Sequence, residues 1–310
     1  MAGELTDPGL IGVADGVPGT SPGPGRMVSL RGRAPVWVYE EAGPPDAPVL
    51  VLLHGLGVSA VLNWAAAFPV LARSFRVIAP DHRGHGRTPP GPEPFTLAGS
   101  AGDALAVADA LGVDHFIAVG YSMGGPIAQL MWRSQPSRVA GLVLAATSRD
   151  FRGRPRDRIG FQALGLALAG VGVPGSGIPR EVVLRVLAPR LSGSARRWVL
   201  DELRRGDSRR MLEAATDLGR FSSRTWIGDV DIPTSVIVAM NDQVVPTRRQ
   251  LKLAQAIRGS VAAFVDGDHY AAGGEVAEYL RILEHECLTV QQRVEGDLDV
   301  PPAYWDVQSA

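Results

Sequence analysis

Short, continuous apolar runs recur along the chain and constrain its fold more than any other feature. They are rich in β-branched residues, which is typical of strands that a parallel sheet buries on both faces. Helical periodicity fills most of the intervals between them. The runs are 47–53, 76–79, 115–119, 140–145, 234–239 and 260–265, and the helical segments are 63–73, 97–111, 125–135, 248–257 and 275–288. Strands and helices that alternate at this spacing predict a mostly parallel, doubly wound α/β sheet.

Two further segments, 27–33 and 35–41, alternate as an antiparallel strand pair ahead of the first run. Together with the six apolar runs they predict an eight-stranded sheet. Residues 1–26 are rich in Gly and Pro and have too little apolar surface to offset the entropy cost of ordering. We expect a flexible leader there, and a C-terminal tail over 291–310.

The interval 149–228 breaks the alternation, because its pattern is mainly helical and contains no strong strand run. The simplest interpretation is an inserted helical cap over the carboxyl edge of the sheet, where α/β folds place their sites. The core then comprises 27–148 and 229–290. The cap has sixteen Arg, no Lys and eight acidic residues. Such a basic lid could attract an acidic substrate or an anionic membrane surface, or its charges could simply be solvated.

Composition excludes several classes of protein and of site. A formal net charge of -1 gives no case for a nucleic-acid partner. The single cysteine, Cys287, excludes an internal disulfide framework and a cysteine-based metal cluster, and it suits a reducing cytoplasm. No stretch predicts a membrane span, since the charge-free segment 159–179 contains several Gly and Pro residues. We therefore expect a cytoplasmic protein without stable membrane insertion, metal or organic cofactor, and the oligomeric state stays open.

The sharpest chemical motif is Gly120-Tyr121-Ser122-Met123-Gly124, which directly follows one apolar run and precedes a helical segment. A serine on such a strand-to-helix turn projects its hydroxyl above the sheet. The following helix N-terminus favours negative charge that develops there. The sequence therefore predicts Ser122 as a nucleophile.

A serine hydroxyl needs a base, and the base needs a carboxylate that orients it. His269 follows the last strand run, and Asp242 follows the run before it, so both are expected at one edge of the sheet. Asp150, just beyond the run that ends at 145, is the alternative acid. His115 and His285 are predicted to be structural or surface residues.

Acyl transfer also requires N–H donors for the tetrahedral oxyanion. Met123, the residue after the nucleophile, is predicted to supply one, and Leu56 in the loop His54-Gly-Leu-Gly57 the other. Trp64 and Tyr121 are predicted to line the substrate pocket, since they neighbour this loop or the serine.

Together these motifs resemble the α/β-hydrolase superfamily, in particular its cap-bearing branch of serine esterases, C–C bond hydrolases and cofactor-free haloperoxidases. The resemblance covers about 27–288 and implies the chain order Ser, acid, His, which selects His269. Ser122 argues against haloalkane dehalogenases and epoxide hydrolases, which have an Asp at this turn. In the family the Asp81-to-Gly86 turn is structural. The remaining matching pieces are Gly125, Asn241 with Asp242 and Pro246, and Asp268 with His269.

The predicted function is a serine hydrolase that cleaves an ester-like bond of a small apolar acyl substrate through an acyl-enzyme. Three alternatives remain open. An acyltransferase or a C–C bond hydrolase would use the same three residues, and a non-catalytic binding module could share the fold.

Overall fold

The computed structural model describes residues 25–152, 201–269, 276–296 and 298. Within them eight strands form one sheet in the order β1-β2-β4-β3-β5-β6-β7-β8. The strands are β1 Arg26–Val28, β2 Val36–Glu41, β3 Val49–Leu53, β4 Arg76–Pro80, β5 Phe116–Tyr121, β6 Val139–Ala145, β7 Thr234–Ala239 and β8 Val261–Val265. β3 to β8 run parallel, and β1 and β2 form the antiparallel edge. The predicted mostly parallel, eight-stranded sheet is confirmed.

Helices cover both faces of this sheet. The α-helices whose bounds fall within the described residues are α1 Ala60–Trp64, α2 Phe68–Leu71, α3 Leu97–Ala110, α4 Gly124–Ser134, α5 Ser208–Leu218, α6 Thr247–Ala254 and α7 Val276–Glu295. Residues of α3, α4, α5 and α6 share one hydrophobic cluster, and those of α1, α2 and α7 share the other. β5 serves both clusters, because Phe116 and Ala118 face the first while Ile117 and Val119 face the second.

Some boundaries differ from the predicted ones. The helix expected over 63–73 is two short helices, α1 and α2, and Pro69 stands in the first turn of the second. β1 begins at Arg26 and ends at Val28, because a turn follows within the predicted strand 27–33. α7 continues past 288 to Glu295, into the predicted tail, because Val290 is fully buried against the sheet.

The interval between β6 and β7 is described in part. α5 packs on α3, and its carboxylates accept backbone hydrogen bonds at the start of α3: Glu213 from Phe95 N at 2.8 Å and Asp217 from Leu97 N at 2.8 Å. Residues 153–200 lie outside the described residues, so the helical cap over 149–228 stays a prediction. The predicted leader also falls almost entirely on such residues. In the described part of the chain, no helix is both long and apolar enough to cross a membrane.

Candidate active site

Ser122 occupies the sharp turn between β5 and α4 with a φ of 51°, in the left-handed region that non-glycine residues seldom adopt. Backbone hydrogen bonds hold it there. Its N–H donates to Ala145 O at 2.9 Å, and its carbonyl accepts from Gly125 N at 3.0 Å and from the Thr147 hydroxyl at 2.7 Å. The turn is therefore fixed by the neighbouring strand as well as by the helix.

Two glycines of the motif permit a close backbone approach at this turn. A Cβ on Gly120 would lie 2.4 Å from Gly124 O, and one on Gly124 would lie 2.0 Å from Leu53 O. Both separations are far below van der Waals contact with rigid backbone atoms. The G-x-S-x-G spacing thus reflects close packing within the turn at Gly120 and packing of the turn against β3 at Gly124.

A continuous hydrogen-bond chain starts at the Ser122 hydroxyl. Its Oγ lies 2.9 Å from His269 Nε2, and His269 Nδ1 lies 2.7 Å from Asp242 Oδ2. This pattern suits the imidazole tautomer that carries its proton on Nδ1 and accepts from the serine at Nε2. All three side chains are buried. The structure thus brings together the predicted nucleophile, base and acid, which follow β5, β8 and β7.

The alternative acid, Asp150, lies in a different set of contacts. Its carboxylate is within 3.6 Å of both Arg152 and Arg224, and its Oδ1 accepts from the Arg152 amide. His269 contacts the carboxylate of Asp242 instead.

The loop after β3 lies against Ser122, since a Cβ on Gly55 would be 3.5 Å from the serine Cβ. His54 braces this loop. Its Nε2 accepts from His82 N at 2.9 Å, so its Nδ1 carries the proton and donates to Gly55 O at 2.8 Å. The Gly55 carbonyl and the Leu56 N–H belong to one planar peptide unit. The His54 hydrogen bond therefore sets the orientation of the Leu56 N–H.

The second predicted oxyanion donor, Met123, is the residue that caps the N-terminus of α4. Its backbone is in the right-handed helical region, directly after the strained serine. Within the described part of the chain, neither the Met123 N–H nor the Leu56 N–H donates a hydrogen bond. Both amides are thus available for an acceptor at this site.

Known proteins share this architecture. A family model described as "alpha/beta hydrolase fold" matches residues 48–167. The chain superimposes on the crystal structure of a hydrolase from Pseudomonas aeruginosa with a TM-score of 0.72 and 24% identity, over 87% of this chain and 98% of that one. The protein has the α/β-hydrolase fold.

Two other similar proteins have names that specify a chemistry. A putative carbamate hydrolase, RutD, from Rhizobium rhizogenes is 28% identical over 239 residues, which are 72% of this chain and 85% of that protein. The structure of a thermophilic esterase from Thermogutta terrifontis matches this α/β-hydrolase fold with a TM-score of 0.68 and 23% identity, over 86% and 99% of the two chains.

Asp242 is held by hydrogen bonds that the sequence analysis only partly anticipated. Its Oδ1 accepts from Val244 N at 2.8 Å and from Val245 N at 2.7 Å. Its Oδ2 accepts from Gln250 Nε2 at 3.0 Å as well as from His269. Sequence analysis missed Gln250. The available signal was a polar residue on the buried face of α6, in register with Leu253 and Ala254.

Next to the loop after β3 lies a cluster of three buried imidazoles. The His54 ring centroid is 4.1 Å from that of His82 and 5.4 Å from that of His85. Burial lowers the pKa of His82 to about 3 and that of His85 to about 4, and it lowers the pKa of His54 well below its usual value. All three imidazoles are therefore neutral at pH 7.

Asp81 lies beside this cluster and ties the turn after β4 to α1. Its carboxylate accepts from Ala60 N at 2.7 Å and from Arg87 N at 2.8 Å. Burial raises its pKa to about 7. These contacts agree with the structural part that the family resemblance implies for the Asp81-to-Gly86 turn.

The histidine cluster should make the fold sensitive to acid. Below pH 6.5 these three histidines bind protons in the unfolded chain, whereas in the folded protein their pKa values are depressed. The free energy of unfolding therefore decreases as the pH is lowered. Between pH 7 and 5 His82 and His85 each cost about 2 kcal/mol, and His54 acts in the same direction. Asp81, with its raised pKa, offsets about 2 kcal/mol because the folded state binds its proton first. Urea unfolding at both pH values should therefore give a net loss of at least about 2 kcal/mol.

His82→Leu is the matched variant for this prediction. The His82 Nε2 is buried and has no hydrogen-bond partner among the described residues, so an apolar side chain leaves no donor or acceptor unpaired. The variant should lose about 2 kcal/mol less than the wild type on acidification. If the free energy of unfolding of the wild type stays constant or increases when the pH is lowered from 7 to 5, the depressed pKa values of the histidine cluster are refuted.

Trp64 and Tyr121 both lie inside the protein. Trp64 is fully buried, and its ring meets that of Tyr121 edge to face at 6.1 Å. The Tyr121 hydroxyl donates to the backbone carbonyl of His269, which ties the end of β5 to the loop that carries the base. Their contact with substrate stays a prediction. Among the described residues, no group of three or more His, Cys, Asp or Glu side chains could hold a metal ion.

Proposed function

We propose that this protein is a serine hydrolase that cleaves an ester-like bond of a small acyl substrate through a Ser122-His269-Asp242 triad. The observation that carries the proposal is the hydrogen-bond chain, 2.9 Å from Ser122 Oγ to His269 Nε2 and 2.7 Å from His269 Nδ1 to Asp242 Oδ2. A neutral, Nδ1-protonated imidazole is the form that can take a proton from serine.

In the first step Ser122 Oγ attacks the substrate carbonyl while His269 Nε2 takes the hydroxyl proton. Asp242 holds the imidazole and stabilises its positive charge. The Leu56 and Met123 N–H groups donate to the oxyanion, and His54 keeps the Leu56 peptide oriented. His269 then protonates the leaving group, and an acyl-enzyme on Ser122 results.

In the second step water attacks the acyl-enzyme while His269 again acts as the base. The tetrahedral intermediate binds to the same N–H donors. When it collapses, the bond from Ser122 Oγ to the acyl carbon breaks, His269 returns the proton to Oγ, and the carboxylic acid is released. We infer that 149–228 forms a cap that limits access of water and substrate to this site. A reducing cytoplasm, which the single cysteine suits, is the proposed location.

Carbamates form a second candidate substrate class, because a relative of 28% identity is a putative carbamate hydrolase. A carbamate carbonyl would meet the same nucleophile, base and oxyanion donors as an ester carbonyl. The proposal therefore specifies attack at an acyl carbon and leaves the leaving atom, oxygen or nitrogen, to experiment.

A panel of p-nitrophenyl esters of graded acyl length, together with p-nitrophenyl carbamates, tests the proposal. We expect turnover of at least one short acyl ester, with an acyl adduct on Ser122 in mass spectra of quenched reactions. Added alcohols that redirect the acyl group would instead indicate an acyltransferase. Absence of turnover and of adduct across the panel would contradict the hydrolase assignment.

A further inference from the structure

The amide of Gln250 forms a buried junction between the proposed triad and the scaffold. Its side chain is fully buried on α6. The Nε2 donates to Asp242 Oδ2 at 3.0 Å and to Val245 O at 2.7 Å, while its Oε1 accepts from Ala239 N at 3.0 Å. Both amide protons and the carbonyl are therefore in use.

Gln250 donates to the same carboxylate oxygen of Asp242 that accepts from His269. Asp242 Oδ2 receives two donors, Gln250 Nε2 and His269 Nδ1, whereas two backbone amides hold Oδ1. The Asp242 side chain has no exposed surface, and a buried carboxylate depends on hydrogen-bond donors to stabilise its negative charge. Without Gln250, His269 Nδ1 would be the one donor of these two that remains on Asp242 Oδ2.

The hydrogen bonds of Gln250 with Ala239 N and Val245 O fix the position of its Nε2. Ala239 is the last residue of β7, and Val245 lies in the loop that carries Asp242 to α6. By bonding to both, the amide is locked in one orientation and cannot turn its oxygen toward the carboxylate. Hydrogen bonds to the scaffold thus hold the amide in the orientation that Asp242 requires, and such preorganisation is what a catalytic arrangement depends on.

We propose that Gln250 is a positioning residue, which orients and stabilises the Asp242 carboxylate for its partnership with His269. The inference rests on the proposed function. It assigns to α6 a part in the reaction, beyond its packing against the sheet.

A matched pair of variants separates positioning from stability. Gln129 is an equally buried glutamine of α4, whose Nε2 donates to Ser148 O at 3.3 Å and whose Oε1 accepts from the Ser223 hydroxyl at 2.6 Å. Q250M and Q129M both replace a satisfied amide by an apolar side chain of similar length. We expect Q250M to lower kcat on the order of 10- to 100-fold with KM nearly unchanged, the effect of one lost hydrogen bond to a charged group.

The expected result for Q129M is a comparable loss of stability with kcat within about 2-fold of the wild type. Wild-type kcat in Q250M, or equal losses of kcat in both variants, would overturn the proposal. If the wild type itself has no Ser122-dependent turnover, the proposed function fails instead, and the contact remains testable by a second measurement.

That measurement does not depend on activity. In nuclear magnetic resonance spectra, the side-chain amide resonances of Gln250 should move when Asp242 is replaced by asparagine, because Gln250 Nε2 then loses its carboxylate acceptor. The side-chain amide resonances of Gln129 should stay where they are. Gln250 resonances that are the same in the wild type and in Asp242→Asn would overturn the proposal.

Discussion

Replacing Ser122 by alanine should lower kcat for ester hydrolysis by at least about 10⁴-fold, because the variant lacks the proposed nucleophile. The fold should persist. The hydrogen bonds that hold the turn use the backbone of residue 122, and alanine needs no more room than serine. Circular dichroism and thermal unfolding of the purified variant check the second point, and p-nitrophenyl ester turnover checks the first.

Two further variants sharpen this test. His269→Ala should lose a similar factor, and the double variant should lose little more, since nucleophile and base act as one unit. Ser134→Ala is the matched control, because Ser134 is an exposed serine at the end of α4. It should keep full activity. Wild-type turnover by Ser122→Ala would remove Ser122 from the mechanism.

Asp242→Asn should lower kcat by about 10³- to 10⁴-fold with little change in shape. The asparagine oxygen can still accept from Val244 N and Val245 N in place of Oδ1. Its NH₂ then faces Gln250 Nε2 and His269 Nδ1, so donors meet donors. The imidazole is driven toward the tautomer with its proton on Nε2, which cannot accept from Ser122.

Two other carboxylates provide the controls for Asp242→Asn. Asp266→Asn changes an exposed carboxylate that contacts Asn241, and it should alter kcat by less than about 2-fold. Asp150→Asn tests the alternative acid and should also retain activity. Loss of activity in Asp150→Asn together with its retention in Asp242→Asn would transfer the role of the acid to Asp150.

The sheet and its edge could be predicted because they depend on local pattern. A continuous apolar run such as Val49–Leu53 suits a strand buried on both faces wherever it pairs. Ser122, Asp242 and His269 each follow such a run, and the carboxyl ends of parallel strands meet at one edge. The position of each residue relative to its strand was therefore enough to predict their proximity.

Other parts depend on contacts between distant segments that no local pattern encodes. The tautomer of His54 is set by the backbone N–H of His82, in the turn that follows the neighbouring strand β4. Gln250 was missed because its signal, one polar residue on an apolar helix face, does not identify a partner. The end of α7 was placed too early because burial of Val290 depends on packing against the sheet.

The central claim is that Ser122 is the reacting nucleophile, and covalent labelling tests it most directly. The protein is incubated with a fluorophosphonate, and its intact mass and peptides are analysed by mass spectrometry. We expect one adduct, on the peptide that contains Ser122, which is absent from Ser122→Ala and strongly reduced in His269→Ala. A label on another residue, or an unlabelled Ser122 in a preparation that still hydrolyses esters, would contradict the claim.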